Sequence, residues 1–211
     1  MRRLLPAVTA LTLSACVSAP TFRRPPVEPV RGADPVALRQ CIAKLDRVAK
    51  RYTLLPDRDF GGGCSAFGAV QLKDIGTLVS GLGAMTCPLG HAFTLWVQND
   101  LQTPAMGEFG SPVVRVETFG TYNCRNINGA ASGQLSQHAT ANAVDVAAFV
   151  LADGRRISVL EGWSGDQREA RFLRSVQAAA CRRFNTVLGP EYNARHRDHF
   201  HFDMGRGPFC R

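Results

Sequence analysis

The chain has 211 residues, 45% hydrophobic, 8% aromatic and 20% charged, which is the composition of one ordinary globular domain with a short segment to spare. That balance excludes disorder as the dominant state, and 20 Gly and 12 Pro without an internal period exclude a collagen-like or solenoid architecture. The one long apolar run lies at the extreme N-terminus, which excludes a polytopic membrane protein, while a net charge of +8 and seven cysteines raise the question of compartment.

Met1-Arg2-Arg3 is a basic start, and Leu4 to Leu13 is an apolar stretch of signal-peptide length, too short to span a bilayer. Leu13-Ser14-Ala15-Cys16 closes that stretch and resembles a bacterial lipobox. The resemblance implies cleavage before Cys16 and acylation of its thiol, so that a lipid chain holds the mature protein to a membrane. An ordinary secretory signal with Cys16 as a passenger is the alternative, and either one exports the protein. The expected organisation is a lipoprotein signal peptide over 1–15, a Pro-rich tether over 16–35 and one folded domain over 36–211. Residues 17–32 read VSAPTFRRPPVEPVRG, a spacer composition. Loss of Arg2 and Arg3 takes the charge from +8 to +6, and Arg23, Arg24 and Arg31 sit in the tether. The basic balance therefore fits an anionic envelope. Nucleic acid is not an expected partner, because no basic run is interleaved with aromatics.

Export also reorganises the cysteines. With Cys16 set aside, Cys41, Cys64, Cys87, Cys124, Cys181 and Cys210 form an even set expected to make three disulfides, whose pairing stays open among 15 connectivities. A Cys-only zinc site is disfavoured because no CxxC pair occurs.

The first predicted helix starts at Asp34-Pro35, a capping residue followed by the residue best tolerated at the first helical position, and runs to about Tyr52 with Leu38, Ile42, Leu45 and Ala49 on one face. A glycine-rich connection at Gly61-Gly62-Gly63 follows. A second helix begins near Thr86-Cys87-Pro88, with Leu89, Ala92, Phe93, Trp96 and Val97 as its buried stripe. The segment 113–119 alternates as a strand, and 144–151 with 155–160, joined by Asp153-Gly154, is the strongest hairpin signal. A third helix from about Gln167 to Arg183 buries Phe172, Leu173, Val176 and Ala180, and 198–204 returns as a last strand. The predicted fold class is α+β, a central antiparallel sheet flanked by about three helices.

Four of the five histidines fall in two polar islands, 136–145 and 196–203. The first places His138 in the loop entering a strand and Asp145 on the strand itself. In the second, His199 and His201 share one strand face while Phe200 and Phe202 point to the core, with Asp203 beside them. Two His and an Asp meeting on a sheet supply three ligands for Zn²⁺ and leave a fourth position open, an arrangement of catalytic rather than structural sites. A lone His would be read as a surface or loop-capping residue, and His91, on the second helix and far from both islands, is read that way.

His138 through Asp145 resembles the His-x-x-Gly-x-Ala-x-Asp motif, and His199-x-His201 the C-terminal His-x-His, of zinc peptidases that cut bacterial peptidoglycan stems: D-Ala-D-Ala carboxypeptidases, murein endopeptidases and relatives grouped with lysostaphin. The wider span from Gly120-Thr121-Tyr122-Asn123-Cys124-Arg125 to Cys210 is similar to the bacterial extensin-like C-terminal family. The resemblance implies zinc held by His138, Asp145 and His201, with His199 as general base or transition-state stabiliser supported by His196. Arg125 lies in a segment similar to one whose guanidinium faces oxyanion charge. Asp198 stands where some relatives carry a glutamate base, although ideal strand geometry points it away from His199. Two departures stand out. Ala141 replaces the motif's Gly, which matters if that position has positive φ, and Gln137 replaces a common Glu.

The expected function is zinc-dependent hydrolysis of stem-peptide amide bonds, most readily on cross-links, by a monomeric, lipid-anchored lipoprotein of the periplasm and outer membrane. The alternatives are a D-residue carboxypeptidase and a non-catalytic wall-binding lipoprotein that keeps the zinc site.

Overall fold

A computed structural model describes residues 32–211; the signal sequence, Cys16 and nearly all of the tether lie outside the described residues. Helix α1 (Pro35–Leu45) begins as its sequence predicts. The Asp34 carboxylate accepts from the N–H groups of Val36 at 2.8 Å and Ala37 at 3.5 Å. It ends well before Tyr52. Ala49 still bonds back to the Leu45 carbonyl at 2.9 Å, so the apolar period persists through a turn after the helix has stopped. Tyr52 and Thr53 then pair with a later strand, and ladder bonding to that partner overrides helix continuation.

Six short strands occupy the next stretch: β1 (Arg51–Leu54), β2 (Arg58–Gly61), β3 (Cys64–Ala66), β4 (Ala69–Asp74), β5 (Leu78–Ser80) and β6 (Met85–Thr86). β1, β4 and β6 form a small antiparallel sheet. β2 and β3 form a hairpin whose turn is the glycine run at 61–63. Helix α2 (Cys87–Asn99) is the predicted second helix, and all five residues of its expected stripe are buried. A short helix, α3 (Gln102–Phe109), follows where no strong pattern announces one, and Gly110 closes it at φ 65°.

The rest of the chain builds the main sheet from β7 (Val113–Gly120), β8 (Ala143–Leu151), β9 (Arg156–Ser158), β10 (Thr186–Leu188), β11 (Phe200–Asp203) and β12 (Phe209–Cys210). A single helical turn, α4 (Val159–Gly162), takes the residues expected to extend the hairpin's second arm, and α5 (Gln167–Ala180) is the predicted third helix, three residues shorter than expected. The strand order is β12-β10-β11-β8-β7-β5, with β9 also paired to β8. The central pairs are antiparallel, as predicted, and only the outermost pairs, β5 with β7 and β10 with β12, are parallel. The fold is α+β.

Trp96, Phe93, Phe149, Phe172, Phe200 and Phe202 are the largest buried side chains, and the Trp96 indole N–H donates to the Val176 carbonyl at 3.0 Å, joining α2 to α5 beneath the sheet. β8 is buried along nearly its whole length. Val144 and Val146, then Phe149 and Leu151, join the core, and the parity switches across Ala147, where the pairing to β7 slips by one residue. The bulge keeps both halves of the strand facing the core while leaving Asp145 on the opposite face. The cysteines pair as Cys41–Cys87, Cys64–Cys124 and Cys181–Cys210. Loops of these lengths, 46, 60 and 29 residues in separation, correspond to about 4 kcal/mol each in the chain-entropy model. Among the described residues no helix is long and apolar enough to cross a membrane.

Candidate metal centre

Three segments bring the two histidine islands together. His201 on β11 sits directly opposite Asp145 on β8, a cross-strand pair set by the antiparallel register. His138 lies in a 3₁₀ turn over Gln137–Thr140 that leads into β8, its backbone N–H facing the Ser136 hydroxyl at 3.4 Å. Ala141 ends this turn in the left-handed region, φ 54° and ψ 27°, so the position where the motif carries Gly does require positive φ. Its methyl is fully buried with Ala66 and Ala69, against Tyr122 and Leu55. Apolar contact thus offsets the backbone strain.

The result is a buried triangle. His138 Nε2 lies 3.0 Å from Asp145 Oδ1 and 3.1 Å from His201 Nδ1, and His201 Nδ1 lies 3.0 Å from Asp145 Oδ1. The outer nitrogen of each ring settles its tautomer. His138 Nδ1 is 2.9 Å from the Thr121 carbonyl, which can only accept, and His201 Nε2 is 3.0 Å from the Asp203 carboxylate, so both outer nitrogens carry protons. In neutral rings the two inner nitrogens then point lone pairs at one another and at a carboxylate oxygen. Such convergence requires a cation or a proton between them. Without a metal a proton serves: burial opposes charge on His201, but the hydrogen bonds that its ring donates to Asp145 and Asp203 outweigh it and push the imidazole up to about 9. Burial likewise opposes the charge on Asp145, and the hydrogen bonds of His138 and His201 hold it well below the ordinary carboxylate range.

The donor set suits a borderline divalent ion. Tetrahedral ligands at zinc distances stand about 3.3 Å apart, so these three atoms need to move only a few tenths of an ångström to accept one. The Thr121 carbonyl and Asp203 are the partners expected to orient metal-binding imidazoles. The second oxygen of Asp203 accepts from the Gly205 N–H at 2.7 Å, which fixes the carboxylate itself.

The other predicted residues surround the triangle. His199 Nε2 is 3.6 Å from Asp145 Oδ1, and its Nδ1 donates to Asp198 at 2.8 Å. Strand alternation does not govern that pair, because β11 begins only at Phe200 and residues 198 and 199 belong to the preceding turn. His196 Nδ1 is held by the Asn193 side chain at 2.9 Å, and the ring packs 5.2 Å from His199. Burial first, then electrostatic repulsion from the neighbouring imidazoles, pushes His196 down to about 4. Arg125 Nη2 approaches Asp145 Oδ2 at 3.9 Å from beside the Cys64–Cys124 disulfide. His91 is half-buried on α2 and takes no part in the site.

Phe119 is an addition that sequence alone does not make. The β7–β8 pairing slips between Thr118 and Gly120, leaving Phe119 unpaired in a bulge, 62% exposed, with its ring edge-on to His199 at 5.7 Å. Arg125, His196, His199, His201 and Asp203 all line one open groove of about 730 Å³, together with residues between 127 and 137 and residues of β10, β12 and the turns between them.

An α+β domain stapled by disulfides, with a His–Asp–His cluster on the face of its sheet, is the class this geometry defines. Residues 39–211 match the family described as Extensin-like protein C-terminus, and the chain belongs to that family. No curated protein and no solved structure matches it significantly.

Proposed function

We propose that the domain is a zinc-dependent peptidase acting on the stem peptides of peptidoglycan, an endopeptidase on cross-links, carried by an exported, lipid-anchored protein. The observation that carries the reading is the meeting of three buried lone pairs with a separate, oriented base at their edge. His138 Nε2, Asp145 Oδ1 and His201 Nδ1 would hold the ion. Zinc at such a site supplies Lewis-acid chemistry, making water acidic at neutral pH and polarising a carbonyl.

The chain's own groups divide the remaining work. With Nδ1 committed to Asp198, His199 presents the Nε2 lone pair toward the cluster and takes a proton there, then returns it to the leaving amine. Asp198 is the positioning residue, stabilising the imidazolium that forms. His196 stays neutral and holds the His199 ring laterally, and Phe119 limits water on the other side. Arg125, a third exposed, supplies a fixed cation for oxyanion charge. The resemblance of the His138 and His199 motifs to peptidoglycan peptidases supports the substrate, as does the expected tether from membrane to wall.

The test is digestion of purified peptidoglycan by the zinc-loaded protein with and without chelator, the muropeptides being read by mass. Loss of cross-linked dimers, abolished by chelator and by His138→Ala or His201→Ala, is the expected result. Shortened pentapeptides with intact dimers would reassign it as a carboxypeptidase. An unchanged digest from zinc-loaded protein would refute the peptidase reading.

A further inference from the structure

The groove carries charge that the proposed chemistry leaves unused. Arg195 and Arg206 line the groove and are both exposed, and neither guanidinium has a carboxylate within ion-pair distance among the described residues. Among the described residues the single carboxylate lining the groove is Asp203, and both its oxygens are occupied, by His201 and by the Gly205 N–H. Among the described residues, therefore, nothing neutralises the two arginines.

Both are mounted on the turns that build the site. The Arg195 N–H donates to Asn193 Oδ1 at 2.9 Å, the same oxygen that holds His196, and the Arg206 carbonyl accepts from the Thr186 hydroxyl at 3.1 Å, two residues from Met204 and three from Asp203. In the same groove Tyr192 and Phe209 meet edge-on at 5.8 Å, 42% and 43% exposed. Pairing of β10 with β12 and the Cys181–Cys210 disulfide hold that aromatic surface in place. An apolar step flanked by two free guanidinium forks matches a short aliphatic stem ending in a carboxylate.

We infer that Arg195 and Arg206, with Tyr192 and Phe209, form a carboxylate-recognising subsite beside the metal cluster, so that the peptide this groove accepts is acidic. The inference deepens the peptidase reading and rests on it for the nature of the ligand. It assigns selectivity to side chains other than the proposed catalytic groups, although Tyr192 packs against His196 at 5.3 Å, and Arg125 is not part of it.

Binding measured without turnover tests it. The probes are a stem tetrapeptide with free carboxylates and two derivatives, one amidated at its side-chain carboxylate and one at its C-terminus, titrated calorimetrically into chelator-stripped full-length protein. Each arginine is expected to contribute about a three- to tenfold preference for the acid. The wild type should favour the parent over one of the amides by at least tenfold, and that amide identifies which carboxylate is read. Arg195→Gln with Arg206→Gln should abolish the preference by weakening the parent while leaving that amide's affinity and the melting temperature unchanged. Equal binding of all three peptides, no binding at all, or a preference that survives the double variant would each overturn the inference. The measurement needs no cleavage, so failure of the peptidase reading in the peptidoglycan digest remains a separate result.

Discussion

Replacing Asp203 by Asn probes the cluster through a residue that supplies no ligand atom itself but bonds to the outer nitrogen of His201. Asp203 is 5% exposed and accepts twice, from His201 Nε2 at 3.0 Å and from the Gly205 N–H at 2.7 Å. An amide of the same shape has one accepting oxygen and one donating nitrogen, so one of these bonds must be lost. If the oxygen faces His201, a buried N–H₂ meets the Gly205 N–H, at about 1–3 kcal/mol of stability. If the nitrogen faces His201, Nε2 must accept, the proton moves to Nδ1, and the inner position is closed to a metal. Both outcomes lower zinc affinity, and loss of an orienting carboxylate typically weakens it by about 10- to 100-fold, or roughly 1.4–2.7 kcal/mol. A competing effect has the opposite sign. Asp203 helps raise the His201 pKa to about 9, so at pH 7 a proton competes with the metal more strongly in the wild type than in the variant. The assay is therefore competition against a chelating dye near pH 9, where that competition is small, with Asp198→Asn as the control beside His199. Asp203→Asn should lose at least tenfold in affinity and Asp198→Asn less than threefold. Equal losses in the two variants, or no loss in Asp203→Asn, would refute the assignment of His201 Nδ1 as the inward ligand atom.

On the proposed peptidase mechanism, His199→Ala lowers kcat by about 10²- to 10⁴-fold with zinc content unchanged, while Asp198→Asn shows a smaller loss and a shifted pH profile. Zinc loss in His199→Ala would contradict that division. At Ala141, relief of the left-handed conformation is worth about 1–2 kcal/mol, against about 0.5–1 for the flexibility of unfolded Gly and about 0.8 for the buried methyl. Ala141→Gly should then change stability by less than about 1 kcal/mol in chemical denaturation, whereas the β-branched Ala141→Val destabilises clearly; a large gain from Gly would show that the methyl contributes nothing. The raised pKa of His201 fixes the sign of one pH effect. Its contribution to the metal-free protein is complete below the unfolded value near 6.5 and is lost as pH rises through about 9. Chelator-treated protein should lose several degrees of melting temperature between pH 6.5 and 9.5, and saturating zinc should flatten that fall; a flat metal-free curve would contradict the protonated cluster.

The parts of this site that are legible in the sequence are those whose geometry is local or has a short period. Asp145 stands out as a charge inside the apolar run of β8, and His201 alternates with Phe200 and Phe202, so an antiparallel register suffices to bring the two together. Helix α2 is equally plain, with its Pro at the first turn and a complete apolar stripe. The strands from 51 to 86 are two to six residues long, and three of them, β1, β2 and β5, are almost wholly exposed, so these three carry no periodic signal and exist because partners pair with them. The same limit applies inside the site. Thr121 orients His138 through a carbonyl, which no side-chain pattern can reveal, and Asn193 holds His196 and Arg195 through one oxygen of a turn. Phe119 reaches His199 only because the strand bulges beside it, and Asp198 reaches the same ring only because β11 starts at Phe200, two residues later than its sequence pattern places it. In each case an interruption of regular structure decides the contact. Sequence periodicity locates the His–Asp–His cluster, and the irregular backbone between the periodic segments determines which groups orient it and which stand at its edge.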